Sequence, residues 1–351
     1  MPAAVSGTVQ AQIDAYLQAR MEADHIPAAA AAIVRNGETV YCRAHGLANL
    51  EWEIPATVDT AFQLASATKP LTGTLLMMLV ESGELRLDAP VREYLSQAPA
   101  SWDGITIRHL TTHTAGLSDE VVSHVHTRAA GEDLPPGTPN TVQEIVAAAF
   151  ELPLAYKPGE RAQYGLADFV VLTAILEAVS GSPFPVLLHE RLLAPLGMTS
   201  TRYDNGVDAG ASRITDIVPR RASLFRRHEE QQRDFRFFYP IWGYAAGGLF
   251  SSAADLARWT VALDRGELLR PETVEEMFAP QRLTGGEVGL FSPGWVVYTH
   301  RDRRVVGHSG GPALGDIVRF RDDGFTVVAL ANQQVLMPDL APGVADIFLG
   351  T

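Results

Sequence analysis

The spacing of apolar positions divides this chain into a strand-rich start, a helical middle and a strand-rich end. Val9 to Ala23 carries Ile13, Tyr16 and Leu17 on one side, the pattern of an amphipathic helix. Ala28 to Val34 and Thr39 to Ala44 read as two strands around Arg35-Asn36-Gly37-Glu38, where Asn-Gly between apolar runs signals a hairpin. An apolar helical run from Leu71 to Val80 stops near Gly83, and Asp88-Ala89-Pro90-Val91 opens another short helix. Ile107 to Leu117 starts helical and ends in a glycine turn. Ser118 to Asn140 is polar, contains Pro135-Pro136-Gly137, and reads as a loop. Thr141 to Phe150 and Ala167 to Ser180 read as helices, and Ser251 or Ser252 caps one that runs to about Leu263. Strands follow at Gly294 to Thr299, Arg304 to His308, Asp316 to Phe320 and Phe325 to Ala331, the last two joined by Asp322-Asp323-Gly324. A helix from about Pro338 to Leu349 closes the chain.

Short connections between these strands imply antiparallel pairing. The economical fold is an α+β sandwich. One antiparallel sheet is built from both termini and flanked by terminal helices, with a helical lobe inserted between its halves. The expected organisation is a single domain over 1–351, with an α/β lobe at 1–65 and 240–351 and a helical lobe at 66–239. No internal repeat interrupts this plan.

Composition is that of a globular protein, 46% hydrophobic and 20% charged over 351 residues. The net charge of −13 argues against nucleic acid as a partner. No apolar run approaches the roughly 20 residues that span a bilayer, and Met1 to Gln18 lacks a basic start followed by an apolar stretch. A cytoplasmic location follows as the default expectation; oligomeric state is not readable. The one cysteine, Cys42, excludes intrachain disulfides and multi-thiolate zinc sites. Between Asp208 and Tyr239 the pattern is irregular and holds Arg220, Arg221, Arg226, Arg227, Arg233 and Arg236. This stretch reads as a solvated excursion paired with Glu229 and Glu230 in preference to a lid facing an anionic substrate.

Chemistry concentrates just before the Leu71 run, where Ser66 precedes Lys69 by three residues. Helical geometry puts positions i and i+3 on one face, so the lysine amine is placed to take the serine proton. Pro70 fits, because donors of the first helical turn have no intrahelical partner to lose. The chain has two lysines, Lys69 and Lys157, against 26 arginines. An arginine cannot give up its proton near neutral pH, whereas a buried lysine can.

Two further stretches join this one in order: Pro158 to Gly165, which includes Tyr164, and Gly307-His308-Ser309-Gly310-Gly311. Together they resemble the serine β-lactamase and penicillin-binding-protein superfamily, in particular its class C-like branch of esterases, D-aminopeptidases and acyltransferases. That family uses Ser-x-x-Lys, Tyr-x-Asn and Lys-Thr-Gly or a variant such as His-Ser-Gly. His109 to Leu117, Ala194 to Met198 and Gly247 to Ala257 look like its structural signatures, so the resemblance covers nearly the whole chain.

The resemblance implies a β-lactamase/transpeptidase-like fold and an acyl-enzyme mechanism without a cofactor. Ser66 is then the nucleophile, Lys69 lowers the cost of its deprotonation, and Tyr164 carries the proton to the leaving group. The N–H groups of Ser66 and Gly311 form an oxyanion hole, with His308, Ser309 and Gly310 lining the substrate side and Ser309 offering a hydroxyl. Two positions depart from the pattern. Leu166 stands where an amide would orient Lys69, and His308 where a lysine would meet a substrate carboxylate. A histidine titrates near neutrality, so an ionisation assignable to His308 is expected in the activity. Both departures point away from β-lactams and peptides. The expected function is hydrolysis of a small carboxylic ester. The alternatives are a β-lactamase, a D-amino-acid peptidase or amidase, an acyltransferase, or a penicillin-recognising module that acylates without turnover.

Gly307 to Gly311 also fits Gly-x-Ser-x-Gly, the nucleophile elbow of another hydrolase fold. That elbow needs a helix directly after the serine and a later histidine, and no histidine follows His308. His109 and His113 are spaced i, i+4 but lack the glutamate of a zinc helix, so structural hydrogen bonding is expected of them. His124 and His126, near Asp119 and Glu120, are a weak metal candidate, and no metal is expected. Trp242 and Tyr244 either line the acyl pocket or pack the lobe interface.

Overall fold

The computed structural model describes residues 6–123, 138–209, 212–311, 313–334 and 339–350. Helix α1 (Gly7–Ala23) leads into strands β1 (Ala28–Arg35), β2 (Glu38–Asn49) and β3 (Ile54–Pro55). Asn36 and Gly37 have φ of 50° and 73°, the left-handed pair that a two-residue hairpin requires. The middle of the chain supplies helices α2 (Lys69–Glu81) and α3 (Ala167–Ser180), followed by α4 (Ala253–Asp264). Ser252 caps α4 by accepting from the Asp255 N–H at 3.2 Å. The C-terminal strands are β4 (Phe291–Ser292), β5 (Trp295–His300), β6 (Arg303–Gly310), β7 (Ala313–Phe320) and β8 (Phe325–Gln334), and helix α5 (Leu340–Leu349) follows.

The strands lie in the order β4-β5-β6-β7-β8-β1-β2-β3. The two ends of the chain meet at the antiparallel β8–β1 pair, where Ala331 opposes Ala29 and Phe325 opposes Arg35. Strand alternation then sorts residues between two faces. Ala31, Ile33, Val305, Val318 and Val327 pack with Ile13 and Leu17 of α1 and Val344 of α5. Ala28, Ala30, Ala32, Val306, Ile317 and Val328 join the larger core that holds α2, α3 and α4. The alanines of β1 are buried on both faces, and such small side chains let helices lie close on the strand.

Helix α2 is largely buried, with Leu71, Leu75, Leu76, Met77 and Leu79 in the core and only Met78, Val80 and Glu81 near its end partly exposed. A helix of that kind belongs in a protein interior. Its first turn is therefore dry, and that is where Lys69 sits.

The Arg-rich stretch forms a small hairpin, Phe225–His228 with Gln231–Asp234, whose Phe225 lies beside Gln333 of β8. Arg227 pairs with Glu230 and Arg236 with Asp234 on the surface, in keeping with the solvated reading. Among the described residues, no single helix is long and apolar enough to cross a membrane.

Candidate active site

The chain is anchored on both sides of Ser66 before it turns. Phe62 and Gln63 pair with Ser251 and Phe250, and the Leu64 N–H donates to Leu249 O at 2.8 Å. Ala65 to Thr68 then forms one 3₁₀ turn, and α2 begins at Lys69, three residues later than a helix starting at Ser66 would. In a 3₁₀ turn residues i and i+3 eclipse, which brings Ser66 and Lys69 onto one edge. Ala65 is fully buried with φ of 46°, in the left-handed region that a residue with a side chain avoids. Conformations of this kind persist where the surroundings over-determine them, and they cluster at functional sites.

Those surroundings are two glycines of the sheet. A Cβ on Gly310 would stand 1.9 Å from Leu64 O, and one on Gly315 3.1 Å from the same oxygen. The two glycines are paired across β6 and β7, so the serine turn rests directly on bare sheet backbone. A second close approach fixes the lysine. A Cβ on Gly294 would stand 2.3 Å from Lys69 O, and one on Gly73 2.3 Å from Pro293 O.

The buried Lys69 Nζ donates to Ala246 O at 2.8 Å and reaches Ser66 Oγ at 3.4 Å. It also lies over the rings of Tyr164 and Phe169, 4.9 and 5.1 Å from their centroids. Tyr164 Oη donates to Ser66 Oγ at 2.9 Å. The pair picked out by spacing, Ser66 and Lys69, and the tyrosine that the resemblance implied thus converge on one oxygen.

Tyr164 belongs to the loop that opens α3, and its backbone is tied from outside. The Gln163 N–H donates to His113 O at 2.8 Å, and the Leu166 and Ala167 N–H groups both donate to Asp119 Oδ1 at 2.8 Å. Asp119 therefore caps α3 from a distant segment. Sequence reading placed it only in a polar loop. The missed signal is its charge, suited to the positive end of a helix. Leu166, where the family pattern has an amide, packs its side chain against the large core.

Strand β6 carries His308, Ser309 and Gly310, with Gly311 just beyond its end. His308 faces the site, its ring centroid 6.0 Å from that of Tyr164. Its Nδ1 lies 2.9 Å from Ser309 O, a carbonyl that can only accept, so the ring carries its proton on Nδ1 and leaves Nε2 bare. Burial, and then the charge of Lys69, push the His308 pKa down to about 3. The expectation of a near-neutral ionisation is thereby corrected: burial, helped by the nearby Lys69, keeps this imidazole neutral.

The expected role of Ser309 is also corrected. Its Oγ donates to Asp316 Oδ1 at 2.8 Å, and Asp316 Oδ2 accepts from the Ala341 N–H of α5 at 3.3 Å. Successive strand residues point to opposite faces, so a neighbour of His308 faces the terminal helices and not the substrate. Burial pushes the Asp316 carboxyl up to about 6. The nucleophile-elbow alternative falls with Ser309, whose hydroxyl is on the wrong side of the sheet.

The other candidates resolve as packing. His109 Nδ1 sits 3.1 Å from the Thr106 N–H it caps, and His113 Nδ1 sits 3.0 Å from Asp168 Oδ2, the structural bonding expected of both. Trp242 and Tyr244 are fully buried. Tyr244 stacks on Tyr203 at 4.2 Å and donates to Asp204 at 2.8 Å, so the packing alternative holds for it. His124 and His126 lie outside the described residues. Among the described residues, no group of three or more His, Cys, Asp or Glu is placed to hold a metal.

Residues 13–349 match the sequence model of the Beta-lactamase family. Esterase EstB of Burkholderia gladioli is 35% identical over 201 residues, covering 55% of this chain and 51% of that protein. Penicillin-binding protein 4* of Bacillus subtilis is 28% identical over 312 residues, covering 85% of this chain and 66% of that protein. The chain thus spans about half to two thirds of the length of these curated relatives. Among solved structures, the octameric penicillin-binding protein homologue from Pyrococcus abyssi superposes with a TM-score of 0.79 at 26% identity, covering 97% of this chain and 77% of that one. A D-amino acid amidase from Ochrobactrum anthropi SV3 shares the fold at a TM-score of 0.76 and 23% identity, covering 97% and 96%.

Proposed function

The chain belongs to the beta-lactamase family, and from that premise we propose that it is a serine hydrolase acting through an acyl-enzyme on Ser66, with short-chain, uncharged carboxylic esters as first substrates. One observation carries the reading: Ser66 Oγ meets Tyr164 Oη at 2.9 Å and the buried Lys69 Nζ at 3.4 Å, with Tyr164 open to solvent on its other side.

In the first half-reaction, with Lys69 in its neutral amine form, Ser66 Oγ attacks the ester carbonyl while its proton passes by way of the Tyr164 hydroxyl to the Lys69 amine. The tetrahedral oxyanion rests on the N–H groups of Ser66 and Gly311, each worth roughly 3–4 kcal/mol in comparable sites. Collapse breaks the ester C–O bond, and the alcohol leaves with a proton delivered by Tyr164. Water then attacks the acyl-serine by the same route, releasing the acid and restoring Ser66.

Substrate preference follows from charge. A neutral His308 offers no fixed cation, so a substrate carboxylate brought beside it would be desolvated without a partner. Val288 and Leu290 are more than half exposed, and Gly289 between them lies against Ala162 of the Tyr164 loop. Exposed apolar side chains near the Tyr164 loop would suit an uncharged acyl or alkyl group, and the similarity to an esterase supports the same reading.

A non-turnover penicillin-recognising module is the second reading, favoured by Leu166, which removes the amide expected near Lys69. Release of p-nitrophenol from p-nitrophenyl butyrate separates the two. Continuous release that disappears in Ser66→Ala supports the enzyme, and one equivalent followed by a plateau supports the module. Hydrolysis that survives Ser66→Ala and is abolished by Ser309→Ala overturns both. A chromogenic cephalosporin assayed in parallel ranks esters against β-lactams.

A further inference from the structure

We infer that His113, held by Asp168, is the positioning residue for Tyr164. The inference rests on the proposed role of Tyr164 and adds a residue to that machinery. His113 ends the short helix Ile107–Thr111 in a left-handed conformation, with φ of 54°. A histidine in that region is uncommon, and the fold keeps it buried at 2% exposure.

From there His113 touches both sides of Tyr164. Its carbonyl accepts from the Gln163 N–H at 2.8 Å, and its Nδ1 lies 3.4 Å from the Gly165 N–H. Its ring packs on the Tyr164 ring at 4.6 Å between centroids, with Phe291 at 4.9 Å and Phe169 at 5.3 Å around it. The phenol is therefore gripped through its own ring and through the peptide on each side. The same Nδ1 lies 3.0 Å from Asp168 Oδ2, which ties the ring to α3. Asp168 Oδ1 has no hydrogen-bond partner, which a neutral carboxyl tolerates far better than an anion does. Burial drives both groups the same way, raising the Asp168 pKa and lowering that of His113. Both shifts favour the neutral forms, so the pair braces Tyr164 without placing a charge beside it.

A kinetic cycle tests the inference on p-nitrophenyl butyrate. His113→Phe keeps the ring and the backbone carbonyl but loses Nδ1. It should lower kcat by about 10–100-fold with KM within about 2-fold, the scale for a displaced reacting group. His113→Asn, which restores a polar atom near the Nδ1 position, should recover most of the loss. In a Tyr164→Phe background, adding His113→Phe should cost nothing further, because a residue acting through Tyr164 has nothing left to position. Wild-type kcat in His113→Phe, or a full additional penalty in the Tyr164→Phe background, overturns the inference. Should His113→Phe fail to fold by circular dichroism, Asp168→Leu takes its place in the same cycle with the same two outcomes. Wild-type turnover in Tyr164→Phe alone would instead overturn the mechanism on which the inference rests.

Discussion

Adding one methyl group at Gly310 tests whether the serine turn is set by bare sheet backbone. The new Cβ would lie 1.9 Å from Leu64 O and 3.0 Å from Ala67 N, both backbone atoms that no rotamer change can withdraw. About 1.5 Å must be recovered to reach an ordinary contact near 3.4 Å. Ser66 lies between the two clashing residues, so it moves with them. A displacement of about 1 Å at a reacting atom costs on the order of 100-fold in rate, and overpacking adds roughly 1–3 kcal/mol of destabilisation. Gly310→Ala should therefore lose about 100-fold or more in kcat while remaining folded. Gly315→Ala, with its nearest contact at 3.1 Å, should lose less, and Gly311→Ala, with nothing within 4 Å, least of all. The assay is p-nitrophenyl ester turnover beside thermal melting of each variant. A Gly310→Ala enzyme with wild-type kcat, or the three variants in a different order, would refute the reasoning.

His308 and Asp119 give two further tests. The folded pKa of His308 is about 3, below the ~6.5 of an unfolded histidine, so its contribution to stability is complete above pH 6.5 and is lost as pH falls toward 3. Between pH 7.5 and 4.5, the wild type should lose about 2–3 kcal/mol more than His308→Gln in urea unfolding; equal pH slopes would contradict the burial account. Asp119→Ala removes the acceptor of the Leu166 and Ala167 N–H groups, and should cost about 1–2 kcal/mol of stability with a fall in kcat. Recovery of both in Asp119→Asn, read by melting and turnover, checks that capping is the cause.

What was legible in the sequence was what short spacing and period control. Ser66 and Lys69 are one turn apart by covalent geometry, and the antiparallel strands follow from alternation and short turns such as Asn36-Gly37. Ser309 was misplaced because a one-residue step in a strand reverses the face, and the motif alone does not say which residue of Gly307 to Gly311 points inward. The His308 ionisation was misjudged because burial is a tertiary property: the charge that depresses it, Lys69, is far away in the chain. Asp119 and His113 escaped notice as supports of Tyr164 for the same reason, since their bonds span roughly 50 residues. The Phe225–Asp234 hairpin carries no apolar alternation, its strands being rich in arginine and glutamine, so no period announced it.

The β8–β1 pairing also sets a timetable for making this protein. Roughly 290 residues separate the end of β1 from the start of β8. At about 5–20 residues per second a ribosome takes around 15–60 s to cover that interval. Throughout it, β1 is paired with β2 on one side only, and an alanine-rich strand presents an open hydrogen-bonding edge. Gly310 and Gly315, on which the Ser66 turn rests, also come late. A nascent chain therefore carries its nucleophile long before it has the surface that shapes it. Ribosome-held chains cut short before β8 should bind a holdase chaperone and show no reaction with a serine-directed fluorophosphonate, whereas chains extended past Gln334 should label.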